Sequence, residues 1–466
     1  MTATPLRGSR LDVTRRALTG WGRTAPTTAD VVAVTGPDDV ASLLAGLHAA
    51  GEAPARGVVA RGLGRSYGDA AQNAGGLVLD MTGCARVLAI DVEGALVRVE
   101  AGVSLDTLIR TLLPLGMWLP VVPGTRQVTV GGAIAADVHG KNHHVAGSFG
   151  AHVLELDLVT ADGRVRRLTP DGEDADAFWA TVGGMGLTGV VVRATLACVP
   201  AETAYAVVRT ERARDLDHLL ELLAEDDPDP YSVAWFDALA RGPRMGRAVL
   251  TRGRLARLDD LPARLAKRPS SLGGEGQGPA VPPVPYGLLN RATGRAFNEL
   301  WFRKAPRRPS TDVEPLGAFF QPLDGVRDWN RVYGPRGFCQ YQFVVPPAEV
   351  ESFRRAVALI AASGHPSCLN VLKRMGPSGP GPLSFPAPGW TLAVDLPAEP
   401  GLHRLFAQLD ELVLGAGGRV YLAKDARLSS GSVEAMYPRL AEFRAVRRML
   451  DPEELFVSDL ARRVLL

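Results

Sequence analysis

Lysine is scarce in this chain. Of 52 basic side chains only five, Lys141, Lys267, Lys304, Lys373 and Lys424, are lysine. Arginine stays charged in any surroundings, whereas burial tunes a lysine, so each lysine in an apolar context is a candidate for chemistry. Cysteine is scarcer still. Cys84, Cys198, Cys339 and Cys368 are scattered without a CxxC pair, which argues against a disulfide framework or a zinc knuckle and leaves reduced packing residues. An excess of either charge is also missing. The 52 basic and 50 acidic groups leave +2, too balanced for nucleic-acid binding and pointing to a small-molecule partner. Arg7, Arg10, Arg15 and Arg16 precede Gly22 without an apolar h-region, so this stretch is not a Sec signal. No run of about 18 apolar residues occurs, and Leu112 to Val122 is broken by Pro114, Gly116 and Pro120. The expectation is a cytoplasmic chain whose membrane contact, if it has any, is peripheral.

What is present is 466 residues with 46% hydrophobic side chains, enough for two or three domains with large cores. From about Asp30 to Cys198, short β-branched runs alternate with helical patterns, the texture of an α+β or α/β fold. Strands are expected at 58–60, 77–80, 96–100, 153–160 and 189–197. Ser104 is placed to cap a helix carrying Leu105, Leu108, Ile109, Leu112 and Leu113, which Pro114 and Gly116 close. After about Ala204 the chain turns rich in Arg and Leu. Two stretches dense in Pro and Gly, 268–287 and 376–389, are expected to be flexible loops, either lids or plain surface. Strands at 368–372, 390–396 and 419–423 complete the pattern, and no internal repeat is found.

Three glycine-rich stretches carry the chemistry. The first, Ala60-Arg61-Gly62-Leu63-Gly64-Arg65-Ser66-Tyr67-Gly68-Asp69-Ala70, follows a strand, and its glycines let backbone N–H groups approach a pyrophosphate. Tyr67 stands where a Rossmann fingerprint needs its third glycine. The second comprises Gly124 and then Thr129-Val130-Gly131-Gly132 through Ala136-Asp137-Val138-His139-Gly140-Lys141 to His143 and His144. Its small residues admit a flat ligand, and its histidines allow a zinc alternative through His139 and His143. The third, Gly183 to Gly189, precedes the strand carrying Val191. Three permissive loops beside strands fit a cofactor with both a pyrophosphate and a ring system, for which FAD is the natural candidate. Lys424, in Tyr421-Leu422-Ala423-Lys424-Asp425, has either a chemical task or a strand-end pairing with Asp425. Gln340 and Gln342 share a strand face that binds hydroxyls or meets solvent. Trp235, Trp301 and Trp390 are core residues or a ligand platform.

Together these motifs resemble the vanillyl-alcohol-oxidase type of FAD-dependent oxidoreductase, and more closely the decaprenylphosphoryl-β-D-ribose 2′-oxidases of actinobacterial cell-wall arabinan synthesis. The resemblance runs from 19–26 through 60–69 and 123–144 to Ala423-Lys424-Asp425-Ala426-Arg427, and takes in 232–238, 340–346 and 383–390. It implies a two-domain α+β fold, with an FAD domain from 14–203 and 419–466. A substrate domain at 204–418, built on an antiparallel sheet with helices, is inserted between. It further implies that residues 60 to 70 hold the pyrophosphate. Gly124, Thr129 to Gly132, Ala136 to Gly140, Val191 and Tyr421 line a non-covalently bound FAD. Lys424 and His139 serve catalysis, and Lys141, Trp235, Gln340, Gln342 and Lys373 line the substrate side.

The implied reaction is oxidation of a ribose 2′-hydroxyl on a polyprenyl phosphate. A reductase of the short-chain dehydrogenase type completes the epimerisation, and the cell envelope is the setting. Three positions depart from the family pattern: Phe320 for a tyrosine, Thr391 for an asparagine, and Ala393 for the cysteine that covalent inhibitors capture. A sugar-lactone or alditol oxidase and a non-catalytic flavin-binding scaffold are the alternatives.

Overall fold

A computed structural model describes residues 12–51, 54–272, 278–285 and 287–466. Strands β1 (Val13–Leu18), β2 (Thr27–Ala33), β3 (Val58–Arg61) and β4 (Leu77–Asp80) form a sheet in the order β1-β2-β4-β3. Helix α1 (Pro37–Ala50) makes the crossover that lets β2 and β3 both run parallel to β4. Its Val40, Leu43, Leu44 and Leu47 recur at helical spacing and are buried with Val32, Val58, Leu77 and Leu79.

A second, antiparallel sheet holds β5 (Val87–Asp91), β6 (Leu96–Glu100), β7 (Val153–Val159), β8 (Val165–Leu168) and β9 (Val190–Ala197), ordered β5-β6-β9-β7-β8. Helix α2 (Leu105–Leu112) begins as its sequence dictates, with Ser104 Oγ accepting from the Thr107 N–H at 3.0 Å. A 3-10 turn over Leu113–Leu115 and Gly116 at φ +74° end it. Helix α3 (Val130–Ala135) follows, with Thr129 as its N-cap.

The third sheet contains β10 (Tyr205–Ala213), β11 (Tyr231–Phe236), β12 (Ala248–Leu255), β13 (Ser310–Pro315), β14 (Phe338–Val345), β15 (Asn370–Met375), β16 (Gly389–Pro397) and β17 (Arg419–Val420). Its order is β13-β10-β12-β11-β15-β16-β14-β17, antiparallel throughout. Helix α4 (Arg291–Lys304) packs at one end. Helices α5 (Val350–Ser363) and α6 (Leu402–Gly415) cover the far face, where Phe353 meets Phe343 and Phe406 stacks on Tyr341. Alternation along β14 therefore turns Gln340 and Gln342 the other way, toward the first two sheets.

Two expectations are corrected. The strand expected over 419–423 stops at Val420, because the Lys424 N–H closes a turn onto the Tyr421 carbonyl at 2.9 Å. Lys424 thus sits on a tight turn. The stretch 376–389 is an irregular loop with Pro377, Ser378, Pro380 and Pro388 exposed, but its middle is not surface: Leu383, Ser384 and Phe385 are buried, and Ser384 bonds Asp137 beneath the glycine-rich loops. Of the other stretch, 273–277 and Tyr286 lie outside the described residues, as do Arg7 and Arg10. Within the remainder Ala280 bridges Arg327.

Candidate active site

One cavity of about 1050 Å³ runs from the loop after β3, past α3 and the turn after β17, to the open face of the third sheet. Its cofactor end is built by close backbone approach. At Gly62 a Cβ would collide with the Thr129 hydroxyl, so glycine there lets the first loop abut the start of α3. Gly64 takes φ +64° over the Arg61 guanidinium, which itself donates to the Ala71 and Thr19 carbonyls at 2.8 Å each. Between them, none of the backbone N–H groups from Gly62 to Ser66 donates to a protein acceptor among the described residues. Five consecutive free donors facing a cavity form an anion cradle, and the pyrophosphate of FAD fits it. Gly124, with nothing within 4 Å of where a Cβ would stand, lines the same cavity, and Gly131, Gly132 and Val191 in that lining present little side chain to a ring system.

The substrate end is a set of buried, coupled polar groups. Asp137, at φ +40°, is held by donation from Ser148 Oγ at 2.8 Å, the Gly150 N–H at 2.9 Å and Ser384 Oγ. This strained turn aims His139 inward. Gln342 Nε2 lies 2.9 Å from His139 Nε2, and Lys373 Nζ lies 2.9 Å from His139 Nδ1. The Thr391 hydroxyl donates to the Phe343 carbonyl at 2.8 Å, so its oxygen accepts from the Gln342 amide at 3.4 Å. The Gln342 amide therefore presents N–H to His139 Nε2, and the ring proton sits on Nδ1, directed at Lys373 Nζ. A neutral Lys373 amine accepts it. Burial first, then the Lys141 and Lys424 cations, lowers the Lys373 pKa to about 7. Burial and the neighbouring lysines likewise hold His139 well below its usual range, so it is neutral.

Lys424 Nζ lies 3.9 Å from the Tyr67 ring centroid. Burial lowers its pKa, opposed by the charge of Asp395, whose own pKa burial raises. Asp395 accepts from Gln340 Nε2 at 2.5 Å. Asp425 takes no part in holding Lys424, since it pairs with Arg463 at 2.9 Å and accepts the Arg427 and Leu428 N–H groups. Lys141 donates to the Phe319 carbonyl and stands 4.2 Å over that ring, with burial lowering its pKa to about 7. Four of the five lysines, Lys141, Lys304, Lys373 and Lys424, line this one cavity.

Most residues that the resemblance assigns to cofactor, catalysis or substrate meet here, but five of those, Gly68, Asp69, Val130, Asp137 and Thr391, do not touch the cavity. Gly68 packs against the Asp425 carbonyl, Asp69 pairs with Arg463, and Val130 is core. Asp137 and Thr391 stand behind His139 and Gln342 and orient them. Ala393 does line the wall, between Val371 and Gln342. Phe320 is nearly enclosed, its ring 4.7 Å from Tyr231. Tyr421 stacks on Phe385 at 4.6 Å and donates its hydroxyl to the Ala136 carbonyl. The His139 and His143 lone pairs do not converge, since His143 Nδ1 accepts the Gly376 N–H, which disfavours the zinc alternative. Sequence reasoning missed Asp395. Only its register opposite Gln340 betrays it, because Val394-Asp395-Leu396 carries no motif.

An FAD-binding-domain model matches residues 29–169, and a D-arabinono-1,4-lactone oxidase model matches 393–464. The decaprenylphosphoryl-β-D-ribose oxidase of Mycolicibacterium smegmatis is 50% identical over 97% of this chain and 98% of its own. More distant are the L-gulono-1,4-lactone dehydrogenase of Mycobacterium tuberculosis, 27% identical over 88% of this chain and 90% of its own, and a Streptomyces alditol oxidase, 28% identical over 88% and 91%. The cradle for a dinucleotide pyrophosphate, the buried lysine cluster and this near full-length similarity lead to one conclusion: the chain is an FAD-dependent oxidoreductase and belongs to the decaprenylphosphoryl-β-D-ribose oxidase family.

Proposed function

We propose that this protein oxidises the 2′-hydroxyl of a polyprenylphosphoryl ribose to the 2′-ketone. The observation that carries the reading is one cavity joining the free N–H groups of 62–66 to Lys424, His139, Lys373, Gln340 and Gln342. Bound FAD supplies the acceptor for the carbinol hydrogen and its electron pair. Lys424 takes the hydroxyl proton, held beside Asp395 and over Tyr67. His139, neutral and fixed by Gln342 and Lys373, orients the sugar, and Gln340 and Gln342 hold its other hydroxyls.

We assign 14–203 and 419–466 to the cofactor domain and 204–418 to the substrate domain. FAD is held without a covalent bond: both His139 nitrogens already have partners, and no cysteine lines the cavity among the described residues. Acid precipitation should leave the flavin in the supernatant; a yellow pellet overturns that assignment. A reductase of the short-chain dehydrogenase type is the partner that consumes the ketone. Among the described residues no helix is long and apolar enough to cross a membrane.

The deciding experiment is anaerobic mixing with a polyprenylphosphoryl ribose while the flavin absorbance is followed. Bleaching is the expected result. A flavin that stays yellow with this lipid yet bleaches with a free alditol or sugar lactone overturns the reading.

A further inference from the structure

Helix α4 (Arg291–Lys304) presents two unlike faces. Inward, Gly294 lets Leu239 and Pro366 close on the helix, and Asn298 donates to Asp237 at 2.7 Å and to the Ser367 carbonyl at 3.1 Å. Phe302 is clamped under the Arg212 and Arg247 guanidiniums. Outward, Phe297, Leu300 and Trp301 are 41%, 70% and 40% exposed, a cluster of large apolar side chains on a helix otherwise fastened down. Between Arg291 and Arg308 stand six cations and a single carboxylate, Glu299, which bridges Arg247 and Arg303. The basic excess therefore flanks the apolar stripe on the exposed side.

The stripe is continuous with the cavity. Phe297 stacks on Trp301 at 6.0 Å, Trp301 lies 6.4 Å from Trp235, and Trp235 forms the wall beside Val371 and Ala393. Phe297, Trp301 and Lys304 line the mouth itself. An aromatic track thus leads from the site to an exposed cationic, apolar surface.

We infer that α4 docks on an anionic lipid bilayer, laying Phe297, Leu300 and Trp301 into the interface so that the cavity mouth opens at the membrane and a polyprenyl chain passes in along Trp301 and Trp235. Aromatic and aliphatic residues flanked by Arg and Lys are what the headgroup boundary of an anionic leaflet accepts, each basic residue adding to the attraction. The passage of the chain rests on the lipid-substrate reading; the docking itself does not.

The test uses the holoenzyme and the double variant Arg295→Glu/Leu300→Glu, both positions lying outside the cavity lining. Co-sedimentation with phosphatidylglycerol-containing vesicles should exceed that with pure phosphatidylcholine by about tenfold or more, weaken at high salt, and fall about tenfold in the variant. Turnover of a short-chain, soluble analogue should stay unchanged, while turnover of a long-chain substrate embedded in vesicles drops. Vesicle binding that is absent, or equal in parent and variant, overturns the docking. So does a variant that loses turnover of the soluble analogue in parallel with vesicle binding, since the helix would then serve only the fold. If neither substrate is oxidised but vesicle binding still depends on α4, the oxidase reading falls and the docking stands.

Discussion

At the scale of single residues, the proton inventory around His139 decides what the site can do. Thr391 fixes the Gln342 amide, the amide fixes the imidazole tautomer, and the tautomer requires a neutral Lys373. With the Lys373 pKa lowered to about 7, the amine is neutral above that pH and charged below it. Lys424, the base, must lose its proton as well, with its pKa lowered to about 8, so the rate should rise with pH up to about 8 and its slope should steepen below 7, from about tenfold toward about a hundredfold per pH unit. In Lys373→Met the inflection near 7 should vanish from the kcat/KM profile; an unmoved inflection removes Lys373 from this role. Lys424→Ala should abolish turnover while the protein stays yellow, measured as bound flavin per chain beside the rate of bleaching, and unchanged bleaching removes Lys424 from the mechanism. Ala393 gives a third expectation. Nitro-aromatic inhibitors that capture a cysteine in this family should leave the intact mass of this protein unchanged, and Ala393→Cys should restore the adduct.

At the scale of elements, the loop after β3 works because its N–H groups are left free while its side chains secure it from behind. Gly64→Ala tests this. The left-handed φ costs an alanine about 1–2 kcal/mol, and its Cβ would press on the Arg61 guanidinium that two carbonyls hold. FAD affinity should fall about tenfold or more by equilibrium dialysis; unaltered affinity means that the loop does not hold the cofactor.

This loop was legible in the sequence, as were α2 with its Ser104 cap and the strands β4 and β6, because short-range signals specify all of them. Lys373 and Lys141 stood out through rarity alone. Asp395 and the Thr391–Gln342–His139 chain were not legible, since they arise where β14, β15 and β16 meet in a register set by contacts far apart in sequence. The stretch 376–389 misled for a related reason: its prolines and glycines signal a loop, yet Leu383 and Phe385 fill space beneath a site that only the tertiary fold creates.

At the scale of the whole molecule, the C-terminal segment returns to lock the cofactor loop to the catalytic turn. Arg463 donates to both carboxylate oxygens of Asp69, beyond the glycine loop, and to the carbonyl of Leu428, and it pairs with Asp425, next to Lys424. One guanidinium thus joins three segments that are distant in sequence, and the paired charges hold its pKa above the usual range. Asp425 is almost fully buried, so removing the cation strands a carboxylate that water cannot reach. Breaking such a pair typically costs 3–5 kcal/mol. Because the Arg463 side chain is 23% exposed and partly screened, about 2 kcal/mol is the better expectation here. Arg463→Met keeps the side-chain length and removes the charge. Its thermal unfolding should start earlier, and because the joined segments are the cofactor loop and the Lys424 turn, flavin fluorescence should rise on release before the bulk of the far-UV signal is lost. If flavin release and global unfolding instead stay coincident at the temperature of the parent protein, Arg463 is not what couples the chain terminus to the site.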